Sequence, residues 1–281
     1  MDDFVSFARL ITALRPWIGK LVIVGGWAHR LHRFHPLAQS PAHSPLRTRD
    51  TDLAFAPEEI LDGDLRAALK EAGFAEEFFG DDAPPATHYC LGKEDEGFYA
   101  EFLTPLRGSG TKRNGAPDVT VSRAGVTAQK LRHLDTLFLE PWTVEVSRDV
   151  GVPIKRTLEL RVPNPTSYIV QKLLIHSDRP RGKRAQDLLY IHDTLELFGA
   201  SLDELRELWL NQLRPKMPGK TANRVAALAR DLVAEVTDTV REVARIPQDR
   251  KLSPESVQRA CAFGFEEIFC KATLMPDRGK P

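Results

Sequence analysis

Two aspartates separated by a single residue mark the stretch of this sequence with the clearest chemical meaning. Asp50 and Asp52 lie in the run 48–55, which ends in the apolar residues Leu53–Phe55 and predicts a β-strand. Because side chains alternate along a strand, both carboxylates project from one face. Two like charges on one face repel each other, and a divalent cation resolves that repulsion. The pair predicts a Mg²⁺ site, with Mn²⁺ as the alternative ion; an edge strand with its acidic face in water is the alternative interpretation.

A third carboxylate follows in the strand-like run 98–104. Glu101 is the only charged residue of that run, and its neighbours are aromatic or aliphatic. If this strand lies beside the first one, Glu101 joins Asp50 and Asp52. Three carboxylates on neighbouring strands can hold two metal ions about 4 Å apart, which activate an attacking hydroxyl and neutralise a triphosphate. The sequence thus predicts phosphoryl or nucleotidyl transfer, with these three carboxylates as metal ligands and catalytic residues.

A glycine pair precedes the aspartates. Gly25 and Gly26 directly follow the apolar run 21–24, and a helix is predicted over 27–32. Glycines at a turn between a strand and a helix let backbone amides approach a phosphate without interference from a Cβ atom. We therefore predict that this pair, together with Arg49, binds nucleotide. An ordinary tight turn is the alternative.

The pattern of predicted helices and strands that must position these residues indicates an α+β fold with two domains. Helix-like and strand-like stretches alternate up to residue 105, whereas nearly everything after Pro165 has helical periodicity. We expect an N-terminal mixed-sheet domain over 1–155 and a C-terminal α-helical bundle over 156–281 that completes the active site. The predicted helices span 4–14, 57–72, 166–176, 183–198, 202–213, 221–246 and 254–271, and the further strands span 74–79, 88–91, 143–146 and 157–162; the rest of 119–162 is ambiguous.

Composition narrows the class of protein. With 281 residues, of which 42% are hydrophobic and 28% charged, the chain is globular rather than disordered. Residues 1–150 have a net charge of −5 and residues 151–281 of +5, so the second half could receive a polyanion or a nucleotide. No apolar run approaches the roughly 20 residues of a membrane span, and the acidic N-terminus is unlike a signal peptide. We expect a cytoplasmic protein with no membrane contact.

These motifs together resemble the nucleotidyltransferase superfamily with the DNA polymerase β-like fold. The matching stretches are Val24–Ala28, Asp50–Leu53 and Glu101. The resemblance implies transfer of a nucleoside monophosphate from a nucleoside triphosphate, such as ATP, to an acceptor hydroxyl. The interval between Gly26 and Asp50 is longer than is usual in the superfamily, and no role is assigned to this insertion.

The C-terminal half resembles the AbiEii-type toxin branch of that superfamily. The resemblance rests on the stretches 162–174 and 183–191. A helix lysine and an aspartate of the following helix complete the active site in that branch. The resemblance therefore implies that Lys172 contacts nucleotide phosphates and that Asp187 orders Lys172 or the incoming group. The sequence departs from the usual pattern at Gln186, where the branch has a basic residue beside the aspartate.

The resulting hypothesis is a Mg²⁺-dependent nucleotidyltransferase. The resemblance implies RNA as the acceptor, with a transfer RNA end as the specific target, and a toxin that acts in a toxin–antitoxin or phage-defence system beside an antitoxin protein. Two alternatives stay open. The acceptor could be a small molecule or a protein side chain, or the chain could be a binding module that holds nucleotide without turnover.

Overall fold

The chain forms two compact units in a computed structural model that describes residues 3–79, 87–92 and 97–271. The first unit contains the residues up to Ser40 and Ser44–Asn164, and the second contains Pro41–His43 and the chain from Pro165 onward. All strands of the described chain belong to the first unit, and the second is helical. The predicted α+β class is therefore confirmed. Among the described residues, no helix has the length and apolar character to cross a membrane.

A mixed sheet of seven strands forms the first unit. Its strands are β1 (Val22–Val24), β2 (Asp50–Ala54), β3 (Ala75–Phe78), β4 (Thr87–Leu91), β5 (Phe98–Pro105), β6 (Thr120–Arg123) and β7 (Val126–Leu131). The order is β1-β2-β5-β4-β3, and β7 pairs with both β5 and β6. The central strands β2 and β5 are parallel, whereas β1 and β4 flank them in antiparallel orientation. The sheet thus places the two predicted carboxylate strands side by side.

Three helices cover this sheet: α1 (Asp3–Ala13), α2 (Gly25–His32) and α3 (Leu65–Glu71). The rings of Phe7 in α1 and Trp27 in α2 stack with their centroids 4.0 Å apart, and both side chains are fully buried. The predicted helix over 57–72 starts late, because the Asp64 side chain accepts a hydrogen bond from Ala67 N and caps α3. A separate ribbon of β8 (Trp142–Val146) and β9 (Leu158–Val162) completes the first unit.

The second unit is a helical bundle. Its helices are α4 (Pro165–Ile175), α5 (Arg181–Leu197), α6 (Leu202–Glu207), α7 (Gly219–Leu232), α8 (Asp238–Val243) and α9 (Pro254–Phe265). Helix α5 is central, because it packs against α4, α8 and α9. The prediction of one helix over 221–246 is wrong: the Thr237 hydroxyl accepts a hydrogen bond from Val240 N and starts α8 as a separate helix.

Candidate active site

The pairing of β2 with β5 brings the predicted carboxylates to neighbouring positions. Asp52 lies directly opposite Glu101, and Asp50 lies opposite Tyr99. All four side chains share one face of the sheet, because alternate residues of a strand point the same way and adjacent strands lie about 4.8 Å apart. Thr51 points to the other face and is fully buried. The carboxylate face is therefore the side of the sheet on which β2 meets solvent.

The position of the Asp52 side chain requires a glycine at position 25. Strand β1 ends at Val24, which lies opposite Asp52, and α2 begins at Gly25. Gly25 has a φ of +63°, and a Cβ atom there would lie 2.1 Å from Asp52 Oδ2. No L side chain fits that space. Gly26 is buried in the first turn of α2, where the partial positive charge of the helix N-terminus favours a phosphate.

The residues ahead of β2 fix Asp50. The Thr48 hydroxyl donates a hydrogen bond to Asp50 Oδ1, so the carboxylate has a defined orientation. Arg49 is exposed, and its carbonyl oxygen accepts a hydrogen bond from Tyr99 N at 3.1 Å. The backbone at Arg49 is thus held by the sheet, while its guanidinium group lies on the surface.

His88 also belongs to the carboxylate face, and the sequence reasoning gave it no role. Its Nε2 atom lies 2.9 Å from Glu101 Oε1, and its ring stacks on Tyr99 with the centroids 4.5 Å apart. Burial lowers the pKa of His88, and the nearby carboxylates of Glu77 and Asp50 offset only part of this effect. The imidazole is therefore neutral at neutral pH, and its contact with Glu101 is one between an uncharged ring and a carboxylate.

Tyr99 is the second residue that the sequence reasoning missed. Burial raises its pKa, and the carboxylates of Asp50, Glu101 and Asp52 raise it further. The phenol therefore stays protonated beside the carboxylates. The alternation of Tyr99 and Glu101 within one predicted strand was the available signal. For His88 there was no comparable signal, because the pairing of β4 with β5 cannot be read from the sequence.

The donor set of this face fits a hard divalent cation. Carboxylate oxygens from two adjacent strands are the ligands that Mg²⁺ prefers, since it takes one or two carboxylates and completes its shell with water and phosphate oxygens. Among the described residues, the ligand atoms of Asp50, Asp52 and Glu101 do not form a cluster within 4.8 Å, as those of Glu77 and His88 do with a cysteine thiol.

Lys172 and Asp187 contact each other in the second unit. Lys172 Nζ in α4 donates a hydrogen bond of 2.6 Å to Asp187 Oδ1 in α5, and both side chains are more than 90% buried. The ammonium group also lies 4.8 Å from the ring centroids of Tyr168 and Tyr190, a distance at which aromatic rings stabilise a cation.

A second cation completes this buried cluster. Arg179 Nε donates a hydrogen bond of 3.1 Å to Asp187 Oδ2, and the Arg179 side chain is 40% exposed. Burial by itself would raise the pKa of Asp187, but Lys172 and Arg179 outweigh it and hold that pKa below its usual value. Two cations thus contact one carboxylate, and Arg179 is the member of the cluster that faces solvent.

The structure therefore brings the predicted site residues together in two groups. Asp50, Asp52 and Glu101 share one sheet face behind Gly25 in the first unit. The predicted lysine and aspartate of the C-terminal half form an ion pair in the second unit.

The sheet aligns an Asp-x-Asp strand with a strand that carries a third carboxylate, next to Gly25, which is the arrangement that the sequence motifs associate with nucleotidyl transfer. The model of a family described as nucleotidyltransferase matches residues 2–214. This chain therefore belongs to a nucleotidyltransferase family and is a transferase of nucleotidyl groups that uses a nucleoside triphosphate. A search of curated proteins found no matching relative.

Proposed function

We propose that this protein transfers a nucleoside monophosphate from a nucleoside triphosphate to a hydroxyl group of RNA in a Mg²⁺-dependent reaction. The observation that carries the proposal is the register of β2 against β5, which sets Asp52 opposite Glu101 with Asp50 two residues earlier on the same face. Membership of a nucleotidyltransferase family supports the same chemistry.

Each of the three carboxylates has a role in this proposal. Asp50 and Asp52 hold the divalent cation, and Glu101 serves as a further ligand or as the base toward the acceptor hydroxyl. The bound cation supplies charge neutralisation to the triphosphate and lowers the pKa of the attacking hydroxyl. The α2 N-terminus behind Gly26 and the exposed guanidinium of Arg49 bind phosphate oxygens.

The reaction is an in-line displacement at the α-phosphorus. A bond forms between the acceptor oxygen and the α-phosphorus, the bond to the bridging oxygen of the β-phosphate breaks, and pyrophosphate leaves. The acceptor proton passes to Glu101 or to water. Such a reaction needs positioning and charge stabilisation more than covalent chemistry from the protein, which matches a site built from carboxylates and backbone amides.

Lys172 and Asp187 complete the site in this proposal, on the strength of the resemblance to the AbiEii-type branch. Lys172 contacts the nucleotide phosphates, and Asp187 holds the ammonium group in position through their 2.6 Å hydrogen bond. Because both side chains are buried, the role requires that a phosphate reach the ammonium group while Asp187 keeps its contact. A lysine with a purely structural role would not have to be accessible to a phosphate in this way.

RNA is the acceptor that the charge distribution favours. Residues 151–281 have a net charge of +5. Four cations lie at the start of α5: Arg179 just before the helix, and Arg181, Lys183 and Arg184 in its first turn. A basic surface of this kind suits a phosphate backbone. In line with the resemblance, we propose the end of a transfer RNA as the target and a cytoplasmic toxin with an antitoxin partner as the biological role.

The acceptor is tested by incubating the purified protein with each α-labelled nucleoside triphosphate, Mg²⁺ and one of three pools: total RNA, lysate protein or small metabolites. We expect the label to appear in an RNA band of transfer RNA size. Mn²⁺ should be able to replace Mg²⁺, and no labelled RNA should form in EDTA. Label in protein or metabolite instead would contradict the RNA acceptor, and bound nucleotide without any product would identify a binding module.

The toxin role is tested by induced expression in a bacterial host. We expect growth arrest with the wild-type protein and normal growth with Asp52→Asn expressed to the same level. Normal growth with a wild-type protein that labels RNA in vitro would contradict the toxin role and leave the enzymatic proposal in place.

A further inference from the structure

A cluster of metal-ligating side chains lies in the second unit, apart from the residues assigned to nucleotidyl transfer. It consists of His43, Asp193 and Glu196. His43 comes from the insertion between Gly26 and Asp50, and the contacts of Pro41–His43 place this segment in the second unit. The two carboxylates lie three residues apart on α5, so they share one face of the helix. The fold therefore gathers three ligands from chain segments 150 residues apart.

The spacing of the ligand atoms fits a single metal ion. One nitrogen or oxygen atom from each of the three residues lies within 4.8 Å of the other two, and His43 Nε2 lies 3.2 Å from Glu196 Oε2. Ligands bound to one ion at about 2.1 Å lie roughly 3 to 4 Å from one another. The cluster therefore needs only side-chain rearrangement to enclose an ion.

Outer contacts hold the ligands in place. His192 Nδ1 lies 3.0 Å from Asp193 Oδ1, and the guanidinium group of Arg250 donates a hydrogen bond to the same oxygen. The side chain of Asp193 is 1% exposed, and that of His192 is 3% exposed. Ligating carboxylates in metal sites are oriented by such hydrogen-bonded partners. The cluster therefore consists of three candidate ligands and of outer residues, His192 and Arg250, that orient Asp193.

The ligand types select the class of ion. One imidazole with two carboxylates suits a divalent transition metal, whereas Mg²⁺ prefers oxygen ligands alone. We propose that His43, Asp193 and Glu196 form a Zn²⁺ site that leaves one coordination position for water. The side chain of Glu196 is 41% exposed, which provides the entry path for the ion.

A bound ion would give the insertion a role. His43 lies seven positions before Asp50, so a metal at this site would fasten the chain segment that leads into β2. The contact between His43 Nε2 and Glu196 Oε2 does this more weakly, because it is a single partly exposed interaction. The inference concerns metal binding and does not depend on the proposed nucleotidyl transfer.

The test uses full-length protein without a histidine tag, stripped of metal on a chelating resin. The double variant Asp50→Asn/Asp52→Asn is the parent protein, so that the proposed Mg²⁺ site does not contribute. We expect one equivalent of Zn²⁺ to bind in a calorimetric titration, and Co²⁺ to give the visible absorption of a low-coordinate site. His43→Gln and Glu196→Gln should each weaken Zn²⁺ binding at least about 100-fold, and His192→Gln about 10-fold to 100-fold.

The control is His35→Gln, which removes another histidine of the same insertion, one that stacks on Trp142. Its affinity for Zn²⁺ should equal that of the parent. Circular dichroism on each variant separates a lost ligand from a lost fold, and Glu196→Gln retains the shape of a partly exposed side chain. Absence of Zn²⁺ binding by the parent protein, or binding that survives both His43→Gln and Glu196→Gln, would overturn the site.

Discussion

The two charged groups predicted for the active site are stabilised in different ways. In the first unit, Asp50 accepts a hydrogen bond from a neutral hydroxyl, and Glu101 contacts His88, whose lowered pKa leaves it uncharged. In the second unit, Asp187 contacts two permanent cations, Lys172 and Arg179. The carboxylates of the first group are partly exposed to solvent, whereas the carboxylate of the second group is buried between two cations.

This difference distinguishes a sheet face whose carboxylates can bind a cation from a cluster whose carboxylate already has cationic partners. Carboxylates with neutral partners on a solvent-facing sheet gain from a cation, because none of these contacts neutralises their charge. A buried carboxylate with two cationic partners gains little from a further ligand, and losing a partner is costly. We therefore expect substitutions in the first unit to affect transfer and those in the second to affect stability first.

The largest expected effect comes from Asp50→Asn and Asp52→Asn. Each change removes a metal-binding charge, and the rate of nucleotidyl transfer should fall about 10³-fold, the equivalent of roughly 4 kcal/mol. The melting temperature should stay the same or rise, because repulsion within the carboxylate face is relieved. The matched control is Asp62→Asn, an exposed carboxylate elsewhere in the first unit. If the melting temperature fell together with the activity, the expectation that substitutions in the first unit affect transfer rather than stability would be wrong.

Lys172→Met tests the buried cluster. Removing the cation leaves Asp187 with Arg179 alone, and the free energy of unfolding should fall by about 3 kcal/mol, as measured in urea. The double variant Lys172→Met/Asp187→Leu removes both charges and should recover most of that stability. If the double variant also recovers the rate of nucleotidyl transfer, the role of Lys172 is structural. If the double variant folds but has a raised KM for the triphosphate, Lys172 contacts the phosphates as proposed.

Gly25→Ala tests the close approach of Asp52. A methyl group at this position would displace the carboxylate, and misplacement of a reacting group by about 1 Å costs roughly 10²-fold in rate. The matched control is Gly108→Ala, because Gly108 also has a positive φ of +85° but a Cβ atom there meets nothing within 4 Å. Both variants strain the backbone, so equal losses of activity would mean that the contact with Asp52 has no role.

The smallest effect is a pH dependence of stability. Because the folded-state pKa of Asp187 lies below its unfolded value of 3.8, its contribution to stability is fully present above about pH 4 and is lost as the pH falls through the folded pKa. Urea titrations between pH 5 and pH 2 should show a larger loss for the wild type than for Lys172→Met/Asp187→Leu. Parallel curves would contradict the charge-paired state of Asp187.

The sequence predicted the carboxylate face well because local patterns determine it. Alternation within the strands placed Asp50 and Asp52 on one face, and the isolated charge at Glu101 indicated a partner strand. The glycine pair predicted a turn at Gly25, but the reason why Gly25 must be a glycine, the approach of Asp52 Oδ2, depends on the pairing of β1 with β2.

Other features depend on contacts that no local pattern encodes. The hairpin of β6 and β7 was not predicted, because most of its side chains are partly or fully exposed and give only weak alternation. The cap at Thr237 that splits the predicted long helix was readable, yet the helical periodicity of 221–246 masked it. His88 and His43 reach their partners through strand pairing and through an insertion, so their roles required the fold.

The most direct test of the central claim is which phosphorus of the triphosphate becomes attached to the acceptor. Parallel reactions with α-labelled and γ-labelled nucleoside triphosphate, Mg²⁺ and total RNA separate the two outcomes. We predict that the α label enters the RNA, that the γ label leaves as pyrophosphate, and that Asp52→Asn abolishes both. Entry of the γ label into the acceptor, or undiminished transfer by Asp52→Asn, would contradict nucleotidyl transfer at this carboxylate face.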